Sequence, residues 1–155
     1  MNIFVLDNDV SKAAAYHCDK HVVKMCLEYA QLLSTTANHF LNEQVGYKTT
    51  HINHPCSVWA RQSSANVRWL AALLIKLGDQ YTMRYLKVHK SVEVGVNAAW
   101  IAVKHMPDIG LTPFAQAMPD EYKNKDPVVA YRNYYVGAKN GFATWKNGAP
   151  DWWLS

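Results

Sequence analysis

The sequence predicts a mainly α-helical fold: one compact helical bundle over residues 1–155, with a short extended or β segment at its amino-terminal end and ordered loops between helices. Three observations carry this expectation. The chain has 155 residues, half of them hydrophobic, which suits one core and not two. Apolar residues recur at helical spacing in several long stretches. Proline, glycine and asparagine cluster between those stretches rather than inside most of them. Six Trp, nine Tyr and four Phe supply enough large side chains for a continuous core without disulfide staples.

Taken in order, Ile3 to Leu6 form an apolar run too short to be a stable strand alone, and Asp7-Asn8-Asp9 offers turn and cap chemistry before a helix that starts near Ser11. Over residues 13–40 the 3.6-residue period puts Val22, Val23, Cys26, Tyr29, Ala30 and Leu33 on one side. His17, His21, Lys24, Glu28, Gln31 and Thr35 fall roughly opposite. Residues 42–55 have weak periodicity and many residues that compete for backbone hydrogen bonds, the mark of an ordered loop.

A second long helix is expected over residues 57–85, where Trp59, Leu70, Leu73, Leu74, Leu77 and Tyr81 trace a stripe. Residues 92–105 make a weaker helix. Pro107, Gly110, Pro113 and Pro119 then punctuate a wrapping loop. Asp126-Pro127 reads as a helix entrance, followed by a stripe of Tyr131, Tyr135, Ala138, Phe142 and Trp145 and a tail ending in Trp152-Trp153 that packs back.

Three cysteines, an odd number with no CxxC pair, fit a reduced, cytoplasmic setting. The amino-terminal residues lack the basic and long apolar regions of a secretion signal, and no later apolar run approaches membrane-spanning length, so no membrane association is expected. A formal charge of +4 favours anionic partners without specifying one.

The densest reactive cluster is His17-Cys18-Asp19-Lys20-His21. On one continuous helix His17 and His21 share a face with Lys24 and Glu28. That set supplies a catalytic reading: an imidazole to move a proton, Glu28 to orient it or act as base, Lys24 to hold an anion, with Lys20 beside them for binding. A metal would need both histidines and a third ligand from Glu28, His51 or His54; no HExxH pattern is present, so neither a metal nor any other cofactor is specified. Set against this is a polar helix face with two satisfied histidines and a Lys24–Glu28 ion pair.

Further binding candidates are His51, Asn53 and His54 in the loop, which equally suit capping of the next helix. Asn66 interrupts a packing stripe and serves either a pocket or a buried polar network. Arg61, Arg68, Arg84, Lys87 and Lys90 are candidate phosphate contacts, or ordinary solvated charge. Phe114 and Gln116 lie in a loop stiffened by Pro113 and Pro119, where they would wall a pocket, stack a base and read its edge, or seal the core. Arg132, among Tyr131, Tyr134 and Tyr135, offers base stacking or helix packing.

Several segments together resemble a family of small, largely uncharacterised proteins encoded by tailed phages and other DNA viruses. They are Phe4-Val5-Leu6-Asp7 through Asp9, His17-Cys18-Asp19-Lys20-His21-Val22-Val23-Lys24-Met25, Asn53-His54-Pro55, Trp59-Ala60-Arg61-Gln62-Ser63-Ser64-Ala65-Asn66, residues 112–123 and Ala130-Tyr131-Arg132-Asn133-Tyr134-Tyr135. The resemblance spans nearly the whole chain and implies a phage DNA-metabolism context, with no reaction attached. The resulting expectation is a nucleic-acid or nucleotide-processing enzyme acting at a nucleobase or glycosidic bond. Its base-sized pocket would join the first helix, residues 51–66 and residues 112–119. The alternatives are a noncatalytic DNA- or nucleotide-binding protein and a structural module that contacts a host protein.

Overall fold

In the computed structural model, which describes residues 1–153, six α-helices are found among the described residues: α1 Val10–Tyr16, α2 Asp19–Leu41, α3 Pro55–Gln62, α4 Ser64–Tyr85, α5 Lys90–Ala102 and α6 Pro127–Ala138. Short 3-10 turns occupy Val103–His105 and Asp120–Tyr122, and no β-strand is found among the described residues. Ile3 to Leu6 are buried and form no strand, and the Leu6 amide donates to the Phe4 carbonyl at 3.0 Å.

The helix starts follow local chemistry. The Asp9 carboxylate accepts from the Ser11 and Lys12 amides to open α1, and Asp126 accepts from Val128 ahead of α6, with Pro127 preset at the first position. His54 and His89 cap α3 and α5 through a ring nitrogen, so the capping role open to His54 is the one it fills.

Two long expected helices are each broken. At His17 and Cys18 the backbone is extended, with ψ of 129° and 160°, which separates α1 from α2. The break is stabilised from elsewhere in the chain. Arg84 donates to the Ala15 and His17 carbonyls at 3.0 and 2.9 Å, and the Cys18 amide donates to the Tyr135 hydroxyl. Likewise Ser63, with φ −158° and ψ 145°, parts α3 from α4; its hydroxyl accepts from the Ala65 and Ile109 amides. The final helix stops at Ala138, so Phe142 and Trp145 come from turns instead of continuing its stripe.

The core lies between α2, α4 and α5, filled by Leu32, Leu33, Leu70, Leu73, Leu74 and Leu77, with Tyr29, Tyr131 and Tyr135 fully buried beside them. Each such leucine contributes about 1.5–3 kcal/mol through burial. Gly95 lets α5 approach α2 closely: a Cβ there would sit 2.8 Å from Ala30 Cα. The loop after α5 is pinned to α3 and α4, since Asn66 exchanges hydrogen bonds with Thr112 and donates to the Trp59 carbonyl. No helix among the described residues is long and apolar enough to cross a membrane.

Candidate functional site

The break between α1 and α2 gives the two histidines different fates. His17 closes α1 and is fully buried. Its Nδ1 lies 2.6 Å from the Ala13 carbonyl, which can only accept, so Nδ1 carries the ring proton. Nε2, 2.6 Å from the Tyr29 hydroxyl, must then accept that hydroxyl's proton, while the Tyr29 oxygen accepts from the Phe4 amide. Burial pulls the His17 pKa down to about 4 against the opposing Ala13 bond, and Arg84 lowers it further. Both ring nitrogens are committed, and none is free for a substrate or a metal. The expected catalytic role of His17 is therefore corrected to a structural one, because the residue leaves the α2 face and enters the core.

His21 sits in the first turns of α2 with 3% of its surface exposed, stacked on Phe4 at 4.4 Å. Its Nδ1 is 2.6 Å from the Tyr135 hydroxyl. That hydroxyl has one proton and two acceptors in reach, His21 Nδ1 and the Cys18 sulfur at 3.8 Å. The shorter bond to the better acceptor takes it. Nε2 then bears the ring proton and has no hydrogen-bond partner among the described residues. It is also not among the fully sealed polar atoms.

His21 faces a cleft of about 140 Å³ whose lining includes Met1, Phe4, Lys24, Glu28 and Lys139. Glu28 bridges two cations, the Met1 amino group at 3.1 Å and Lys24 Nζ at 3.4 Å. Lys139 reaches in from the end of α6, its Nζ 3.5 Å from the Tyr134 hydroxyl. Burial is the main cause that holds the His21 pKa down to about 3; repulsion from His17, should both rings protonate, and from Lys139, Lys24 and Lys20 adds to it. The ring is thus a neutral N–H donor in a positive field. Proton shuttling near pH 7 does not suit it, whereas donating to an anion does.

The remaining predicted residues disperse. Lys20 is exposed, with Nζ 4.9 Å over the Phe142 ring at the edge of His21. His51, at φ 49°, bonds Thr50, and Asn53 is exposed in the same loop. His54 is spent on its cap, and Asn66 has its amide nitrogen and oxygen engaged by Trp59 and Thr112. Gln116 is doubly bonded to the Asn124 backbone, and Phe114 lies against Trp59 and Trp69 at 5.4 and 4.7 Å. Phe114 and Gln116 line an open cleft with Lys123, Asn124 and Lys125, which includes no residue of α2 or of residues 51–66, so these segments do not share the one expected pocket.

The expected phosphate contacts scatter in the same way. Arg84 is buried, paired with Asp19 at 3.0 Å. Arg61 donates to Ser57, Arg68 to Ser64, and Arg132 to the Leu6 carbonyl and Asp7. Lys90 opens α5 beside a separate apolar groove that includes Ile75, Val92 and Val96. No group of three or more His, Cys, Asp or Glu able to hold a metal ion is found among the described residues.

No family model, no curated protein and no solved structure matches the chain. The assignments to a phage family, to DNA binding and to DNA modification have no footing in these comparisons, and they are corrected to a helical protein without a shown family.

No local pattern marks Tyr135, Phe4, Lys139 or the Met1 amino group as part of the cluster around His21. Tyr135 was legible only as a stripe position, since its hydroxyl meets His21 across 114 residues.

Proposed function

We propose that the His21 cleft binds a compact oxyanion, the phosphate or carboxylate end of a small molecule, of which a nucleotide is one example. The observation that carries this reading is a neutral imidazole N–H without a partner among the described residues, on a histidine that lines one cleft together with Met1, Lys24 and Lys139. At about 30 Å³ per water, 140 Å³ corresponds to roughly four or five waters, which suits an anionic head group and leaves the rest of the ligand outside. If the ligand is a substrate, His21 stabilises charge developing on oxygen, while Glu28 holds the Met1 amino group and Lys24 in place. Cys18, Cys26 and Cys56 are free and buried, which supports a reducing cytoplasmic setting.

Titration calorimetry with inorganic phosphate at pH 7 tests this reading. Replacing both Lys24 and Lys139 by Ala should weaken binding at least about tenfold, as expected for losing two charge-assisted contacts of about 1.4 kcal/mol combined or more. Both sites lie at the protein surface or its edge, so circular dichroism should show a retained fold. Unchanged phosphate affinity in the folded double variant would sink the proposal.

A further inference from the structure

The charges around the cleft narrow the class of oxyanion. Glu28 is the carboxylate lining it, and its two oxygens are already engaged by the Met1 amino group and Lys24. Lys139 is held from a third direction by a tyrosine hydroxyl and ring, neither of which neutralises it. Lys20 stands nearby over Phe142, whose ring packs on His21 at 5.6 Å. Three cations therefore meet one carboxylate in the lining, with a fourth cation beside them. A singly charged ligand would leave positive charge uncompensated in a partly buried site; a doubly charged one would balance it.

The donor geometry agrees. A carboxylate has two oxygens in one plane, whereas a phosphoryl group spreads three terminal oxygens over a tetrahedral face. The donors come from three elements: His21 and Lys24 on α2, Lys139 just past α6, and the amino group of the segment before α1. Such a spread suits three divergent oxygens better than a planar pair.

Resting on the oxyanion reading above, we propose that the cleft selects a doubly charged phosphoryl group, as in a phosphate monoester, over singly charged carboxylates. Because the imidazole donates while neutral, the site gains nothing from acid; its preferred ligand form appears as the phosphate loses its second proton. The groups that titrate around His21 are the Met1 amino group, His17 and Cys18 at the helix break, Lys20, Lys24 and Glu28 on α2, and Tyr135 and Lys139 from α6 and its end. A change of charge at any of these acts alike on two ligands of equal charge. Sulfate, which remains doubly charged, is therefore the reference ligand.

The experiment measures affinities of methyl phosphate, sulfate and acetate for the full chain at pH 5 and pH 7. The His21 Nε2–H resonance is followed by NMR to place each ligand in the cleft. At pH 7 methyl phosphate and sulfate should bind at least about tenfold tighter than acetate, in line with the doubled charge. With a second phosphate pKa of about 6, the ratio of methyl phosphate to sulfate affinity should rise about tenfold from pH 5 to pH 7. Lys139→Ala should weaken both dianions more than acetate. Acetate binding as tightly as sulfate, or a ratio independent of pH, would overturn the charge selection and leave the oxyanion site standing. If none of the three moved the His21 resonance, the oxyanion reading would fall and this inference with it.

Discussion

Tyr29 and Tyr135 stand in the same relation to His17 and His21, each hydroxyl 2.6 Å from one ring nitrogen. The difference lies in the second nitrogen, which in His17 meets the Ala13 carbonyl and in His21 has no partner among the described residues, on a ring that lines the cleft. One imidazole is consequently a buried strut, and the other a presented donor. Tyr29 also accepts from the Phe4 amide, so it ties the segment before α1 to the core and supports the ring that stacks on His21. Tyr29→Phe removes this acceptor and the donor to His17 in a fully buried setting. It should cost about 2–6 kcal/mol, at about 1–3 kcal/mol for each of the two groups left unpaired. Urea denaturation at pH 7 measures it, and a loss below about 0.5 kcal/mol would show that neither bond is significant to the fold.

At the scale of elements, the α2–α5 crossing depends on Gly95 having no side chain. A Cβ there would meet Leu74 Cδ2 at 2.5 Å and Ala30 Cα at 2.8 Å; the leucine tip can turn aside, but the backbone of α2 cannot. Alanine is favoured over glycine in a helix by about 1 kcal/mol, and overpacking costs about 1–3 kcal/mol, so Gly95→Ala should be destabilising on balance. Gly141→Ala, where no atom lies within 4 Å of the added carbon, provides the control. The expected drop for Gly95→Ala is about 2–8 °C in Tm for a chain of this length, measured by calorimetry. Equal Tm values for the two variants would mean that the crossing is loose. The helical stripes were legible because the 3.6-residue period is local. The breaks at His17 and Ser63 were not, because Arg84, Tyr135 and Ile109, which supply their hydrogen bonds, lie 46 to 117 residues away.

For the whole molecule, the part of the cleft that was legible is the part carried by one helix: His21, Lys24 and Glu28 share α2, and the Lys24–Glu28 pair forms as its spacing suggests. Phe4, Tyr135 and Lys139 join only when both ends of the chain close over α2, which no local pattern encodes. The same closure buries titratable groups on both sides of neutrality, and this sets a pH window for stability. His17 and His21 hold pKa values of about 4 and about 3, against an ordinary value of 6.5. Below 6.5 the unfolded chain takes up protons that the folded chain refuses, so their contribution is full above that pH and is lost as pH falls toward the folded values. On the alkaline side, burial pushes the Cys26 thiol up to about 12 and raises Tyr29 and Tyr135, so the unfolded chain releases protons first and stability falls as pH rises past the ordinary thiol range. Each histidine contributes a slope of up to about 1.4 kcal/mol per pH unit, which makes the acid loss between pH 7.5 and pH 5 about 2–4 kcal/mol. Urea unfolding at pH 5, 7.5 and 10 should place the highest midpoint at pH 7.5, and NMR should find both imidazoles neutral in the folded protein at pH 5. A midpoint that holds level down to pH 5, or an imidazolium signal from either ring there, would mean that these histidines are not enclosed as the structure has them.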